Sequence, residues 1–269
     1  MVISSGIQYQ SNIIIIAWNG IDEPLKHIAF DAVPAFSIIL FNYSGNSAVS
    51  QLPDGKYISE CISVKTEFKG VLMLEVCNFV KDIDYTYIGL LDDDQSISVS
   101  SLNKLLDIAT KDKLDVFQPA VSSDSYYSHA MFLQKNGHLP ESVYWVEIMS
   151  PFLRKEIFES GESFYRSNIS SYGVDRYLFP YLQKKLNRCK TALVHEVCVR
   201  HLKPVTDGKK KFSNGLDARQ EGELIRKKIL ALIQSDGLDF SEKALQEIYE
   251  VGQIRWQKWK YDLKRYLGL

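Results

Sequence analysis

Four short apolar runs in the first half of the chain predict the strands of one sheet. They are NIIIIAW at 12–18, AFSIILFNYSG at 35–45, YTYIGLL at 85–91 and DVFQPAV at 115–121. Each is rich in β-branched or aromatic residues and is followed by polar or turn-forming residues. Apolar runs of this length are typical of strands that are buried on both faces, as in a parallel sheet.

Segments with helical spacing lie between these runs. The segment 98–111 opens with serines that favour a helix N-cap, and its apolar residues recur every three or four positions. Its predicted buried stripe is Leu102, Leu105, Leu106 and Ala109. We also expect a helix within 58–83, where the apolar residues have mainly helical spacing although Gly70 weakens the middle. The alternation of buried strands and amphipathic helices predicts an α/β sheet that is covered on both faces.

The second half of the chain is more mixed in pattern. The predicted elements are a strand followed by a helix in 143–160, a helix carrying Pro180 in 173–186, one or two strands in 189–204, and a loop at 206–215 followed by two helices. The length of 269 residues suits one large domain. We assign residues 1–205 to this α/β domain and residues 206–269 to a loop and helical extension that packs on it.

Composition and charge narrow the class of protein. A formal net charge of -1 gives no bulk attraction to nucleic acid, so we expect no nucleic-acid partner. The four cysteines lack CxxC or other metal-ligand spacing and are interpreted as reduced thiols of a cytoplasmic protein. The apolar run at 12–18 is far too short to span a bilayer.

Three consecutive aspartates, Asp92, Asp93 and Asp94, follow the third predicted strand directly. Ligands of such sheets bind beyond the carboxyl ends of the strands. If the chain stays extended, Asp92 and Asp94 point to one side and can share Mg²⁺ or Mn²⁺, which leaves positions open for a diphosphate. The metal would neutralise charge on a departing phosphate oxygen. The simpler alternative is a solvated acidic turn that caps the next helix.

Two enzyme chemistries use such a strand end. One is sugar transfer from a nucleotide-diphosphate donor, in which an Asp-x-Asp holds the metal. The other is aspartyl-phosphate chemistry with a D-x-D-x-[TV] pattern, for which Ser96 stands where Thr or Val is needed. No apolar strand after residue 97 ends in the acidic pair that the second chemistry requires, so sugar transfer is favoured. A metal-dependent phosphatase or nucleotidyltransferase and a catalytically silent carbohydrate- or nucleotide-binding domain remain the alternatives.

Five segments carry a family resemblance. They are LLDDDQSIS, LDVFQPAVSSDSYYSH, WVEIMSPFLRKEIF, SYGVDRYLFPYL and VCVRHLKPV, in this order between residues 85 and 205. Together they resemble the GT-A glycosyltransferases, and more closely an uncharacterised bacterial and plant family related to them. Leu91 and Tyr172 replace a proline and a tryptophan common in that family. The resemblance implies a GT-A (Rossmann-like) single domain, with a mostly parallel central sheet flanked by helices plus C-terminal helices.

The resemblance also implies a donor site. Asp92, Asp94 and His201 would bind Mn²⁺ or Mg²⁺, and neutral imidazole is a suitable ligand for Mn²⁺. The residues implied to contact the nucleotide-diphosphate sugar, with a UDP-sugar as the expected donor, are Trp18, Asn19, Asp92, Asp93 and Lys203. Two of these have plain structural alternatives, since Trp18 also suits a core position and Lys203 also suits a solvated turn.

The resemblance further implies the catalytic groups. Asp175 in YGVDRY would take the proton from the acceptor hydroxyl in an inverting transfer, since a general base must lie within hydrogen-bond reach of that proton. Its structural alternative is an acidic residue favoured at a helix N-terminus. Glu147 is the second candidate, as base or as anchor of the acceptor sugar, because a buried glutamate in an apolar run needs a partner.

The C-terminal segment bears on the acceptor. Residues 241–269 combine Trp256 and Trp259 with several lysines and arginines in an amphipathic helical pattern. Such a helix either lies on an anionic membrane or packs on the domain with its lysines extended to water. Membrane contact would suit transfer to a glycan or lipid-linked acceptor in polysaccharide biosynthesis at the inner membrane face.

Overall fold

The computed structural model describes residues 8–46, 57–137, 139–204 and 208–240. The strands in these ranges are β1 Asn12–Trp18, β2 Ile28–Ala29, β3 Ser37–Asn42, β4 Ile58–Ser63, β5 Tyr87–Leu91, β6 Gln95–Ser98, β7 Val116–Val121, β8 Glu141–Ser142, β9 Phe152–Arg154 and β10 Thr191–His201. The α-helices are α1 Lys69–Val80, α2 Val99–Asp112, α3 Lys155–Ser160, α4 Glu162–Tyr165, α5 Phe179–Lys185 and α6 Ala218–Ser235. A π-helical turn covers Val174–Leu178.

The strands form one curled sheet with the order β2-β6-β10-β7-β9-β5-β1-β3-β4. The pairs β4–β3, β3–β1, β1–β5 and β7–β10 are parallel, whereas β9 runs antiparallel between β5 and β7. The sheet is therefore mostly parallel, as predicted. The carboxyl ends of β1 and β5 lie side by side and carry Trp18 and Leu91.

Two hydrophobic cores lie on opposite faces of this sheet. Alternate residues of β1 divide between them, since Ile13 and Ile15 belong to one core and Ile14 and Ile16 to the other, as the two-residue repeat of a strand requires. Helices α1, α3, α5 and α6 cover the first face, and α2 covers the second. Burial on both faces explains why β1 is continuously apolar.

The strand predictions at 12–18, 35–45, 85–91 and 115–121 are confirmed, as is the helix at 98–111. Ser98 caps α2 by accepting a hydrogen bond from the Ser101 backbone N–H, and the predicted stripe is buried. The helix expected within 58–83 is confirmed as α1, Lys69–Val80. The start of that segment, Ile58–Ser63, pairs with β3 as β4, a strand that was not predicted.

Three further elements differ in detail. The strand predicted at the start of 143–160 is confined to the three residues of β9, just before α3. The helix predicted over 173–186 begins as the π-helical turn, and Pro180 lies in the first turn of α5, where its missing N–H costs no hydrogen bond. The segment 189–204 forms a single strand, β10, with an irregularity between Val194 and Cys198.

One of the two predicted C-terminal helices is observed as α6, whereas the second, within 241–269, lies outside the described residues. Across the described part of the chain, no helix has the length and apolar character needed to cross a bilayer.

Candidate functional site

The three aspartates lie at the carboxyl end of β5 and form a turn, in which the Gln95 backbone N–H donates to the Asp92 carbonyl at 3.3 Å. The expected extended arrangement is therefore wrong. Each carboxylate has a different basic neighbour. Asp92 pairs with Lys69 Nζ at 2.6 Å, Asp93 with Lys203 Nζ at 3.3 Å, and Asp94 with His201 Nε2 at 3.3 Å. These neighbours offset the repulsion among three adjacent negative charges.

Lys69 is a member of the site that the sequence analysis missed. It is the first residue of α1, its side chain is 11% exposed, and it also donates to the Met149 carbonyl at 3.3 Å. Burial raises the pKa of Asp92, and the charge and hydrogen bond of Lys69 oppose that increase. Three adjacent aspartates indicate that positive charge must lie nearby. The sequence does not indicate which lysine supplies it.

The pair of His201 and Asp94 has the chemistry of a cation site. The β6–β10 pairing places His201 opposite Gln95, beside the aspartate turn. His201 Nδ1 lies 2.9 Å from the Tyr126 carbonyl, which can only accept, so this nitrogen carries a hydrogen. In the neutral imidazole, Nε2 then presents a lone pair toward Asp94 Oδ2. Two such acceptors need a proton or a metal ion between them.

The pKa shifts of this pair agree with the proton-bound arrangement. Burial alone would lower the pKa of His201, but the hydrogen bond with Asp94 and the charges of Asp94 and Asp92 raise it above its usual value. Burial alone would raise the pKa of Asp94, but the hydrogen bond and charge of His201 and the charge of Lys203 hold it below its usual value.

The side chains at this position provide some, but not all, of the ligands that a metal ion needs. Asp94 Oδ1 is buried and accepts no hydrogen bond within the described part of the chain, so it is available as an oxygen ligand. With His201 Nε2 this provides two protein ligands, and a bound diphosphate or water would have to supply the others. Asp92, the third predicted ligand, is held by Lys69. Among the described residues, no group of three or more His, Cys, Asp or Glu side chains has metal-binding geometry.

A cleft beside the aspartate turn contains the predicted nucleotide residues. Its walls include Ala17, Trp18, Asn19, Asp92, Asp93 and Gln95. Gln95 was not predicted; its side chain is buried, and its Oε1 accepts no hydrogen bond from the described residues. An unpaired buried carbonyl in a cleft wall is a ready acceptor for a ligand N–H or O–H.

One wall of this cleft is formed by the end of β1 and the loop that follows it. Trp18 is buried and its indole N–H donates to the Asp22 carbonyl at 2.7 Å. Asn19 accepts hydrogen bonds from the backbone N–H groups of Ile21 and Asp22. Both side chains therefore stabilise the loop after β1. A nucleotide could contact only those of their atoms that do not make these hydrogen bonds. Lys203, by contrast, is 56% exposed on its side chain and pairs with Asp93.

Glu147 and Asp175 come together as a buried carboxyl pair. Asp175 is 9% exposed in the π-helical turn, and its Oδ2 accepts from the Ile148 N–H at 3.2 Å. Glu147 is 4% exposed, and its backbone N–H donates to the Gln118 side-chain carbonyl. Burial and the nearby Asp175 charge raise the pKa of Glu147 to about 8. Burial also raises the pKa of Asp175, and the Arg176 charge opposes this increase.

Arg176 and two rings complete this region. The Arg176 guanidinium lies 4.6 Å from the ring centroid of Trp145, and its Nη2 is 2.7 Å from His129 Nε2. Glu147 Oε2 is buried and accepts no hydrogen bond from the described residues. The region therefore combines a free carboxyl oxygen, a second carboxylate and a cation. Arg176 and Trp145 were not predicted, although each adjoins or nearly adjoins a residue that was.

Comparisons with known proteins bear on the fold. No protein-family profile matches the chain, and no curated protein matches it. Among solved structures, that of S. aureus TarS, a GT-A-like glycosyltransferase, is similar over 89% of this chain and 42% of that one, with 10% identity and a TM-score of 0.58. TarS 1–349 in complex with UDP-GlcNAc matches over 89% of this chain and 70% of that one, with 11% identity and a TM-score of 0.55. A complex of TarS 1–349 with UDP is also similar, with 12% identity and a TM-score of 0.54 over 89% of this chain and 69% of that one.

This chain therefore spans less than half of the longer TarS chain and about two thirds of the shorter one. At such low identity the likeness establishes the GT-A-like fold. It does not identify the catalytic or ligand-binding residues of this chain.

Proposed function

We propose that this protein is a metal-dependent glycosyltransferase that moves a sugar from a nucleotide-diphosphate sugar, with a UDP-sugar as donor. The observation that carries the proposal is the convergence at one sheet edge of the Asp94–His201 pair, the cleft beside Asp92 and the carboxyl pair of Glu147 and Asp175. The TarS structures with UDP-GlcNAc and UDP support the choice of donor class.

Asp94 and His201 would hold the Mn²⁺ or Mg²⁺ ion. When bound, this ion supplies positive charge to the diphosphate as the sugar leaves. Trp18, Asn19, Asp92 and Asp93 would line the nucleotide part of the site, where Lys69 keeps Asp92 in a fixed position. Lys203 is exposed, long and flexible, and would turn from Asp93 toward the diphosphate.

Asp175 would accept the proton of the acceptor hydroxyl, which gives an inverting transfer. A raised pKa suits this role, because a stronger base takes up the proton more readily at neutral pH. Glu147 would hold a second acceptor hydroxyl through its free Oε2 or share the proton with Asp175. The proposed acceptor is a glycan or lipid-linked hydroxyl on the cytoplasmic side, with peripheral membrane contact through the segment 241–269.

The first experiment measures UDP binding by calorimetry with Mn²⁺ and with EDTA, for wild type, Asp94→Asn and the exposed control Asp107→Asn. We expect UDP to bind wild type and the control only with Mn²⁺, and Asp94→Asn to lose this binding. UDP release from UDP-GlcNAc or UDP-glucose should then require Asp175, since Asp175→Asn would bind UDP without turnover.

Other results would contradict the proposal in distinct ways. Binding that is unchanged by EDTA would exclude the metal. Hydrolysis of a generic phosphoester that is lost in Asp92→Asn would indicate a phosphatase. Binding without turnover of any nucleotide sugar, with Asp175 intact and candidate acceptors present, would indicate a silent binding domain.

A further inference from the structure

Helix α6 buries a carboxylate against the segment that leads to Asp175. The Glu221 side chain belongs to the first turn of this helix, and the residue is 2% exposed. It accepts hydrogen bonds from the backbone N–H of Ile169 at 3.0 Å, from that of Ser170 at 2.7 Å and from Asn214 Nδ2 at 2.7 Å. These donors are neutral, so the carboxylate is used to bind backbone N–H groups.

The side chain of Glu221 is not part of the N-terminal cap of its own helix. The α6 N-terminus is completed by a reciprocal capping box between Asp217 and Gln220. Burying a carboxylate is costly unless its hydrogen bonds compensate for the lost water. The hydrogen bonds of Glu221 with residues 169 and 170 therefore stabilise the backbone conformation of the segment that contains these residues.

The segment 168–173 has an unusual backbone that needs such support. Ser171 has a φ of 68° and Gly173 a φ of 83°, and a left-handed conformation is costly for serine. Buried side chains hold the turn from inside, since Asn168 Oδ1 accepts from the Ser171 N–H at 2.6 Å. The chain then enters the π-helical turn with Asp175 as its second residue.

Two helices hold this segment from outside. The Gly70 N–H in α1 donates to the Ile169 carbonyl at 2.9 Å, and a side chain at Gly70 would clash with the Asn168 carbonyl oxygen. On the other side, a Cβ at Gly173 would lie 3.2 Å from Gly222 Cα in α6. The segment is therefore confined between the first turns of α1 and α6.

The same turn of α1 also supports the aspartate turn. Lys69, next to Gly70, donates to Asp92 and to the Met149 carbonyl. The first turn of α1 therefore contacts both the Asp92–Asp94 turn and the segment that leads to Asp175. Helix α6 packs against that segment from the other side.

We propose that Glu221 is a positioning residue that sets the location of the Asp175 carboxylate relative to the donor site. The role at Asp175 rests on the proposed function. Removing the carboxylate would leave the Ile169 and Ser170 N–H groups unpaired and allow the Asp175 turn to shift, while the cleft and the Asp94–His201 pair keep their own contacts.

The test compares Glu221→Gln with the matched control Glu223→Gln, which removes an exposed carboxylate on the same helix. Glutamine replaces one of the two carboxylate oxygens by an NH2 group, which would face either the Asn214 amide donor or the Ser170 backbone N–H, so at least one of these hydrogen bonds is lost and two donors face each other. In Glu221→Gln we expect UDP affinity with Mn²⁺ to stay within about twofold, whereas kcat falls by about 100-fold, the loss that a 1 Å misplacement can cause. The control should match wild type in both.

Amide hydrogen exchange gives a readout that does not depend on catalysis. Exchange at residues 168–176 should accelerate in Glu221→Gln and not in the control. If Glu221→Gln is too unstable to assay, Glu221→Asp keeps the charge but shortens the side chain by one methylene group, and it should show the same selective loss of kcat and faster exchange at residues 168–176.

The outcomes separate this inference from the proposed function. Unchanged exchange at 168–176, or full turnover in Glu221→Gln when Asp175→Asn has none, would overturn the positioning role. Absence of turnover in wild type would count against the proposed function, and the exchange comparison would still decide whether Glu221 holds the Asp175 turn.

Discussion

Glu147 illustrates how one buried residue makes stability depend on pH. Burial and the Asp175 charge raise its pKa from 4.5 to about 8, so between these values the folded protein keeps a proton that the unfolded chain has released. The folded state therefore loses stability as the pH rises from about 5 through 8. The size of this effect is on the order of a few kcal/mol at pH 9, because one pKa unit corresponds to about 1.4 kcal/mol.

Replacing Glu147 by glutamine should remove this dependence. We expect Glu147→Gln to be more stable than wild type at pH 9 and similar to it near pH 5, as measured by urea unfolding at both values. The exposed Glu156→Gln, which loses only a surface ion pair with Arg188, serves as the control. Equal stability curves for wild type and Glu147→Gln would show that Glu147 is ionised in the folded protein at neutral pH.

At the scale of elements, Gly89 shows how closely the strands of this sheet pack. It lies in β5 between Ile14 of β1 and Phe152 of β9. A Cβ at this position would clash with the Phe152 ring, which itself stacks on Phe117. Gly89→Ala should therefore destabilise the fold by about 1–3 kcal/mol, as overpacked core positions do.

Urea unfolding of Gly89→Ala, Phe152→Leu and the double variant measures this contact. The double variant should be less destabilised than the sum of the two single variants, because the smaller leucine relieves the clash. Additive losses would mean that the added methyl group meets something other than Phe152.

Elements with a strong local pattern were predictable, and those set by distant contacts were not. Strand β1 is apolar on both faces and α2 has a regular stripe and a serine cap, so each is determined by its own residues. The segment 58–63 forms a strand through its pairing with β3, which was not predicted, and Lys69 binds an aspartate 23 positions away. The same holds for the candidate site. The family resemblance indicated four of its residues: Asp94, His201, Glu147 and Asp175. Three others could be recognised only from the folded structure: Lys69, Gln95 and Glu221.

At the scale of the whole molecule, helix α6 is part of the core. Ile225 and Ile229 of α6 pack in the same hydrophobic core as Val174 and Leu178 of the π-helical turn. A chain shortened to residues 1–205 should lose at least the roughly 2–5 kcal/mol that removing one buried isoleucine side chain costs. Urea unfolding measured by circular dichroism checks this, with a chain ending at residue 240 as the control. A 1–205 chain as stable as the control would show that the segment 206–240 adds nothing to the fold.

The position of β9 has a consequence for how the sheet assembles in time. Strands β1, β3, β4 and β5 are complete once residue 91 has been made, and they can pair in parallel without the rest of the chain. In the sheet, strand β9 lies between β7 and this group and pairs with both, and its Arg154 pairs with Asp115 at 2.9 Å just before β7. Strand β9 ends at Arg154, 63 residues after the end of β5 at Leu91, so the edge of β5 that pairs with β9 stays open while those residues are synthesised. Pairings between such distant residues form slowly, so the nascent chain exposes an apolar strand edge that chaperones would have to protect until residues 152–154 emerge.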